Sequence, residues 1–389
     1  MDSITFINEI IRCIGSKVKQ QITFAQYMDT VLYHPSHGYY STEAASIGKE
    51  GDFFTSVHLG ADFGEMLAIQ FVQMWDILGK PAPFTLVEIG AGQGYLAVDI
   101  LNYLQQHHTD LFTVLKYTIV EKSPLLKQVQ QQKLRNYPVY WCNLEEIENN
   151  SVVGCIFSNE LVDALPVHQF VVEAGQLKEV YVGISSSVQS GDQDRFVEII
   201  DEPSTPKLLQ YFDLIEIDIS SYPTGYRSEI NLAAQDWLTQ VSDKLQLGYI
   251  ITIDYGYPAY RYYNPRRSQG TLQCYYQHRR HSNPYIYVGK QDITTHVDFT
   301  ALERWGETCG LVKVGFTKQS LFLMALGLGE RIAALSDSNL SVSDILRRRD
   351  SLHQLLDPMG LGDFGVLIQS KKLTSTQAVQ PLKGLTIPI

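Results

Sequence analysis

Hydrophobic positions recur along this chain with two periods, and the switches between them mark its elements. Phe84–Ile89 is a short apolar run following Pro81 and Pro83, the pattern of a buried strand. From Leu96 to Leu104 the apolar residues fall at helical spacing. Similar short runs predict strands at Lys116–Val120, Val139–Cys142, Val152–Phe157 and Tyr249–Ile253. Val312–Phe316 and Gly365–Ile368 read as a closing antiparallel pair, with a helical part beginning at Gln319 between them. Helices are predicted over 3–15, 23–33 and 61–78, with Ser3 and Thr23 as N-caps. Ser123-Pro124 opens another, with proline at an early position. His168–Val172, Leu177–Val182 and Phe196–Ile200 alternate like antiparallel strands around a polar turn at Ser185–Asp194. Glu229 is expected to begin a helix running to Leu245. From Leu373, with Pro381 and Pro388, the chain reads as a loosely held tail.

These elements predict an α/β fold: a Rossmann-like, mostly parallel sheet with the antiparallel C-terminal pair, a helical N-terminal cap and an inserted antiparallel β lid. The expected division is a cap at 1–80, a core at 81–166 and 231–372, a lid or substrate region at 167–230, and a tail at 373–389.

The strand at 84–89 runs into Gly90-Ala-Gly-Gln-Gly94 and then the helix. Strand, glycine turn and helix open a nucleotide-binding domain, because glycine lets the backbone turn tightly and approach a ligand where a Cβ would collide. The spacing is G-x-G-x-G. Tyr95 stands where the dinucleotide fingerprint needs a small residue. Glu88 sits two residues before the first glycine and would repel a pyrophosphate, but it suits a cationic or amine-bearing ligand. Glu121 ends the second strand, where a carboxylate accepts hydrogen bonds from ribose hydroxyls. Together these favour S-adenosylmethionine over NAD.

Composition narrows the class. The net charge of −11 argues against a nucleic-acid binder held by phosphate contacts. No apolar run reaches the length of a membrane span, so no membrane insertion is expected. Five scattered cysteines, with no C-x-x-C spacing, point to reduced thiols and no zinc site. The N-terminus lacks the pattern of a signal peptide or mitochondrial presequence, so a cytoplasmic place is expected, or the mitochondrial matrix for a eukaryotic chain.

The fourth strand ends at Ser158-Asn-Glu-Leu-Val-Asp-Ala-Leu-Pro166. Open α/β sheets put their chemistry at strand carboxyl ends, which makes Asn159, Glu160 and Asp163 candidates. The alternative is a helix start with acidic residues in its first turn. Residues 257–290 interleave eight tyrosines with five arginines. A nucleic-acid groove is one reading of such a stretch. A loop over the active site or a partner-docking loop fits the acidic chain better.

Tyr33-His-Pro-x-x-Gly-Tyr-Tyr40, Gly51-Asp-Phe-Phe-Thr55, Glu88-Ile-Gly-Ala-Gly-Gln-Gly94, Ser158–Pro166, Asp254-Tyr-Gly256 and Asp292-Ile-Thr-Thr-His-Val-Asp-Phe299 occur in that order. In this the chain resembles the MidA-type family of class I S-adenosylmethionine-dependent methyltransferases. Their mitochondrial members assist respiratory complex I assembly and symmetrically dimethylate an arginine on one of its subunits. The resemblance implies a protein substrate and a Gly51-Asp52-Phe53 loop with Thr55 lying over the cofactor. Glu88, Gly90, Gly92, Gly94 and Glu121 would hold that cofactor. Asn143 and Leu144 fall where such enzymes contact the adenine, though a plain loop turn explains them equally well. His278 matches a family histidine. The resemblance sets His296 and Asp298 near the substrate pocket, with helix capping as the alternative for Asp298. The same pair could be half a metal site, but no other ligands have suitable spacing, and none is expected. A methyltransferase acting on a small molecule and a non-catalytic assembly chaperone remain the alternatives. The intact glycine turn and strand-end acids weigh against the second.

Overall fold

The computed structural model describes residues 3–42, 56–185, 195–335 and 341–387. Gly51, Asp52 and Thr55 lie outside them, as does most of the polar turn at Ser185–Asp194. The chain divides into two compact units. The first comprises Met1–Phe53, Val162–Trp237 and Gly256–Arg304. The second comprises Phe54–Leu161, Leu238–Tyr255 and Trp305–Ile389.

The second unit is built on a seven-stranded sheet: β1 (Phe84–Ile89), β2 (Leu115–Val120), β3 (Val139–Cys142), β4 (Val152–Asn159), β5 (Leu245–Asp254), β6 (Val312–Lys318) and β7 (Gly365–Lys371). Their order across the sheet is β6-β7-β5-β4-β1-β2-β3. The pairs among β1 to β5 are parallel, and β7 runs antiparallel to both β5 and β6. Every residue of β1 is buried, as a central parallel strand covered on both faces requires. Helices at Asp62–Ile77 and Tyr95–His107 contribute Phe63, Met66, Leu67, Phe71, Ile100 and Leu104 to the same core. The strand order reverses between β1 and β4, so their carboxyl ends flank the switch point where open α/β sheets bind ligands.

The first unit has its own sheet and core. Gln21–Thr23 and Phe196–Asp201 both pair antiparallel with Gln176–Ile184, which forms a hairpin with His168–Glu173. Arg227–Ile230 completes that sheet. The hairpin turns on Ala174 and Gly175, both at positive φ. A three-stranded sheet is formed by Gln273–Tyr276, Arg279–His281 and Asp292–Thr294. No helix among the described residues is long and apolar enough to cross a membrane.

Four expectations are corrected. The N-terminal helices at Ser3–Gly15 and Phe24–Tyr33 share a hydrophobic cluster with residues of 167–196 and 272–293, so cap and lid form one unit with part of the expected core, while the helix at 62–77 belongs to the sheet unit. Glu229 does not begin a helix. It lies in the strand Arg227–Ile230, buried, accepting hydrogen bonds from the backbone of Thr271 and Leu272. Asn231 takes the capping role instead, its Oδ1 accepting from the Ala234 amide at 2.9 Å. The stretch 257–290 is folded rather than a lid loop, with Tyr262 and Tyr263 buried and His278 exposed in the hairpin turn after Gln273–Tyr276. Finally, 373–387 is anchored. Leu382 is buried, and the amides of Lys383 and Gly384 donate to Gln73 and Gln70.

Candidate functional site

The carboxyl ends of β1 and β2 bring five of the expected cofactor residues together: Glu88, Gly90, Gly92, Gly94 and Glu121. Gly90, Gly92 and Gly94 have φ of 72°, 52° and 78°, the left-handed region where a Cβ is strained. At Gly90 a Cβ would also lie 2.7 Å from Leu161 Cδ1. Gly94 then caps the helix Tyr95–His107.

Glu88 is buried just before this turn, and Tyr117 donates its hydroxyl to Glu88 Oε2 at 2.6 Å. Burial pushes the Glu88 carboxyl up to about 7 against the lowering effect of that bond, and the nearby Glu121 adds to the rise. Glu121 is itself raised by burial, although its Oε1 accepts from the Ser123 amide at 2.9 Å.

Gln130 was not legible as a site residue. It is fully buried on the helix Pro124–Lys133, and its side chain ties three parts of the site together. Its Nε2 donates to the Gly92 carbonyl at 2.7 Å and to Glu121 Oε2 at 2.9 Å, while its Oε1 accepts from Trp141 at 3.0 Å. Amphipathic spacing alone would have assigned an apolar residue to that buried face.

At the end of β3, Asn143 caps the short turn Leu144–Glu146, and its amide donates to Glu146 Oε2 at 2.6 Å. Asn143 is exposed and Leu144 buried. The pair thus stands in a capped turn at the carboxyl end of β3.

At the end of β4, Asn159 Nδ2 donates to Glu160 Oε1 at 3.1 Å. Asn159 Oδ1 is buried without a hydrogen-bond partner among the described residues. Glu160 has φ of 53°, and its amide donates to the Ile253 carbonyl of β5 at 2.9 Å. A non-glycine residue held in this conformation at a strand edge is the kind of local strain found at functional sites.

Asp163, His296 and Asp298 belong to the first unit. Asp163 is buried in the turn Val162–Ala164, and its carbonyl accepts from the Thr295 amide at 2.9 Å. Tyr33 donates to the Ala164 carbonyl, and Tyr40 donates to both oxygens of Asp292 at 2.9 Å. Three motifs remote in sequence, 33–40, 158–166 and 292–299, are thus joined there. Tyr40 and Asp292 lie within the motifs quoted above but were not among the expected site residues. His296 stacks on Tyr257, with ring centres 5.0 Å apart. Asp298 is occupied structurally. It accepts from the Tyr211 hydroxyl at 2.6 Å and from the Thr300 and Ala301 amides, capping the helix Phe299–Thr308. Burial pushes its carboxyl up to about 6 against those bonds. The catalytic expectation for Asp298 therefore gives way to capping.

Residues 66–317 match the model of the Methyltransf_28 family of S-adenosyl-L-methionine-dependent methyltransferases. The chain belongs to this family. Methyltransferase relatives extend the match over most of its length. The mitochondrial protein arginine methyltransferase NDUFAF7 homolog of Drosophila melanogaster is 28% identical, covering 88% of this chain and 79% of the relative. The human mitochondrial protein arginine methyltransferase NDUFAF7 is also 28% identical, covering 94% and 85%. A solved COG1565 superfamily member from Burkholderia thailandensis, bound to S-adenosyl-homocysteine, superposes with a TM-score of 0.85 at 29% identity, covering 99% of this chain and 95% of that one. The methyltransferase fold and the cofactor expected from the sequence both hold. S-adenosylmethionine also fits the residues present: a glycine turn that a Cβ would close, a carboxylate at the end of β2, a second carboxylate before the turn, and a buried amide oxygen at the end of β4.

Proposed function

We propose that this methyltransferase modifies an arginine side chain of a protein. The relatives named as protein arginine methyltransferases support that reading. The observation that carries it here is the Asn159–Glu160 pair at the carboxyl end of β4, with Glu160 held at φ 53° and Asn159 Oδ1 unanswered.

A guanidinium is charged at neutral pH, and its fork matches a carboxylate bidentately. Glu160 would hold the fork, draw its charge away from the attacking nitrogen and receive the proton that nitrogen loses. Asn159 Oδ1 would accept a further N–H and fix the plane. Holding the acceptor in line with the methyl group accounts for much of the barrier lowering. When bound, the cofactor supplies an electrophilic methyl group on a sulfonium. Glu88 and Glu121 favour its cationic and hydroxyl groups, while the glycines admit it. Asp163 and His296, both of the first unit, are retained as candidates for substrate contacts. By family resemblance the target is a respiratory complex I subunit.

The test is transfer of tritiated methyl groups from S-adenosylmethionine into an extract of cells lacking this chain, followed by acid hydrolysis and amino-acid analysis. Label in dimethylarginine of one protein band supports the reading. Label confined to small molecules, or to other side chains, overturns it. Glu160→Gln should lower the rate about a hundredfold, with cofactor binding retained.

A further inference from the structure

A groove within the first unit takes no part in what precedes. It has a volume of about 860 Å³ and lies between the hairpin turn at Gly175, the end of the helix Lys207–Ile215 and the turn Ile219–Ser221. Leu177, Phe212 and Ile219 line it and are themselves buried, while Leu209 lines it with half of its surface exposed. Its charged lining is Glu202, Asp213, Glu216 and Asp218, all exposed, and no basic side chain is among the described residues that line it.

The walls are firmly set. A Cβ at Gly175 would lie 3.0 Å from the Ser220 carbonyl oxygen, so the hairpin turn packs directly on the turn that follows the helix. The Ala174 amide donates to Thr224 Oγ1 at 3.3 Å, and the Gly225 amide donates to the Val172 carbonyl at 2.8 Å. Asp218 Oδ1 accepts from the Ser220 amide at 2.9 Å and holds the second turn. The groove is thus formed in advance, which spares an occupant the cost of ordering it.

The charges of the groove run against the needs of its helix. Partial negative charge collects at a helix C-terminus, where a cation stabilises and a carboxylate does not. The helix Lys207–Ile215 has no basic residue in its last turn, which carries Asp213, and its C-cap is Glu216 at φ 58°. Two of the acids are answered from within the unit: Arg304 meets Glu216 at 3.2 Å, and Lys178 pairs with Glu202. Asp213 and Asp218, added to the helix end, leave the groove negative. A local arrangement that costs stability with no structural gain is where a function is to be sought.

We propose that this groove docks a segment of a partner protein in which lysine or arginine stands beside an apolar side chain. Charge complementarity names the occupant. The basic head lies against Asp213 and the helix end, where it cancels the repulsion among the acids. The apolar neighbour covers Leu209 and removes it from water. The volume is at the upper end of the range for small-ligand pockets, so the groove takes several side chains rather than a single ion. Nucleic acid and anionic lipid carry the wrong charge for it. The docking site does not depend on which side chain is methylated.

The test selects a phage-displayed library of random linear heptapeptides on the full chain. Enrichment of sequences that combine lysine or arginine with leucine, isoleucine, valine or phenylalanine is expected. The most enriched peptide, labelled with fluorescein, is then titrated by fluorescence anisotropy. It should bind the native chain about tenfold more tightly than Asp213→Lys and about threefold more tightly than Leu209→Ser, with the Glu148→Lys control unchanged. A cation suits that helix end, so Asp213→Lys should melt no lower than the native protein, which separates lost docking from a lost fold. No enrichment, enrichment of acidic or uncharged sequences, or equal affinity for the native chain and both groove variants overturns the proposal. Displacement of the peptide by spermidine at equal concentration overturns the peptide occupant in favour of a polyamine.

Discussion

At the scale of single residues, Glu88 makes the sharpest claim. Its carboxyl is pushed up to about 7, against an ordinary value of 4.5. Between those values the folded chain keeps a proton that the unfolded chain has lost. Its contribution to stability is therefore fully present below pH 4.5 and lost as pH rises through 7, a change on the order of 3 kcal/mol. Glu88→Gln should leave stability at pH 4.5 unchanged and raise it at pH 8, as read by urea denaturation of the cofactor-free protein. Binding a cationic ligand favours the carboxylate, so S-adenosylmethionine should release a proton and bind about tenfold more tightly at pH 8 than at pH 6. Calorimetry in buffers of different ionisation enthalpy reads both effects. Gln130→Leu should cost roughly 2 kcal/mol of stability, because Trp141, Glu121 and the Gly92 carbonyl each lose a partner. Cofactor affinity should fall with it. Glu88, Glu121 and the glycines were legible because local spacing encodes a turn and its flanks. Gln130 and the φ of Glu160 were not, since they depend on contacts between segments far apart in sequence.

At the scale of elements, the parallel strands followed their apolar runs closely, and β1 and β3 have the bounds their runs predicted. Thr23 and Ser123 cap the helices they were expected to cap, Thr23 through a full capping box. The strand at 227–230 was missed because Glu229 resembles a helix-opening acid. The backbone donors from 271–272, with the Thr271 and Tyr262 hydroxyls, explain why a carboxylate can be buried there. The tail misled for the same reason, its prolines suggesting a loose end while Gln70 and Gln73 hold it. Truncation after Lys372 should therefore lower the melting temperature by several degrees, as scanning calorimetry would show. The β1–β4–β5 contact also depends on glycine. A Cβ at Gly154 would lie 2.1 Å from the Thr85 carbonyl oxygen, so Gly154→Ala should destabilise by about 2 kcal/mol or more in a denaturation series.

At the scale of the whole molecule, the sequence showed the order of elements but not their division. The two units are interleaved, each assembled from three separate stretches of chain. Composition shifts mark boundaries only where a domain is contiguous, so a threaded division leaves no such mark. One consequence is that the fragment 54–161, which holds the glycine turn, lacks β5, β6 and β7 and should not fold alone, as circular dichroism would report. The measurement that most directly tests the central claim is calorimetric titration of the full chain with S-adenosylmethionine and, separately, with NADH, for the native protein and Glu121→Gln. The cofactor site at the ends of β1 and β2 predicts one saturable S-adenosylmethionine site, no NADH binding, and at least tenfold weaker binding in a variant that melts at the native temperature. No heat from S-adenosylmethionine with folded protein, or equal affinity in the variant, would contradict it.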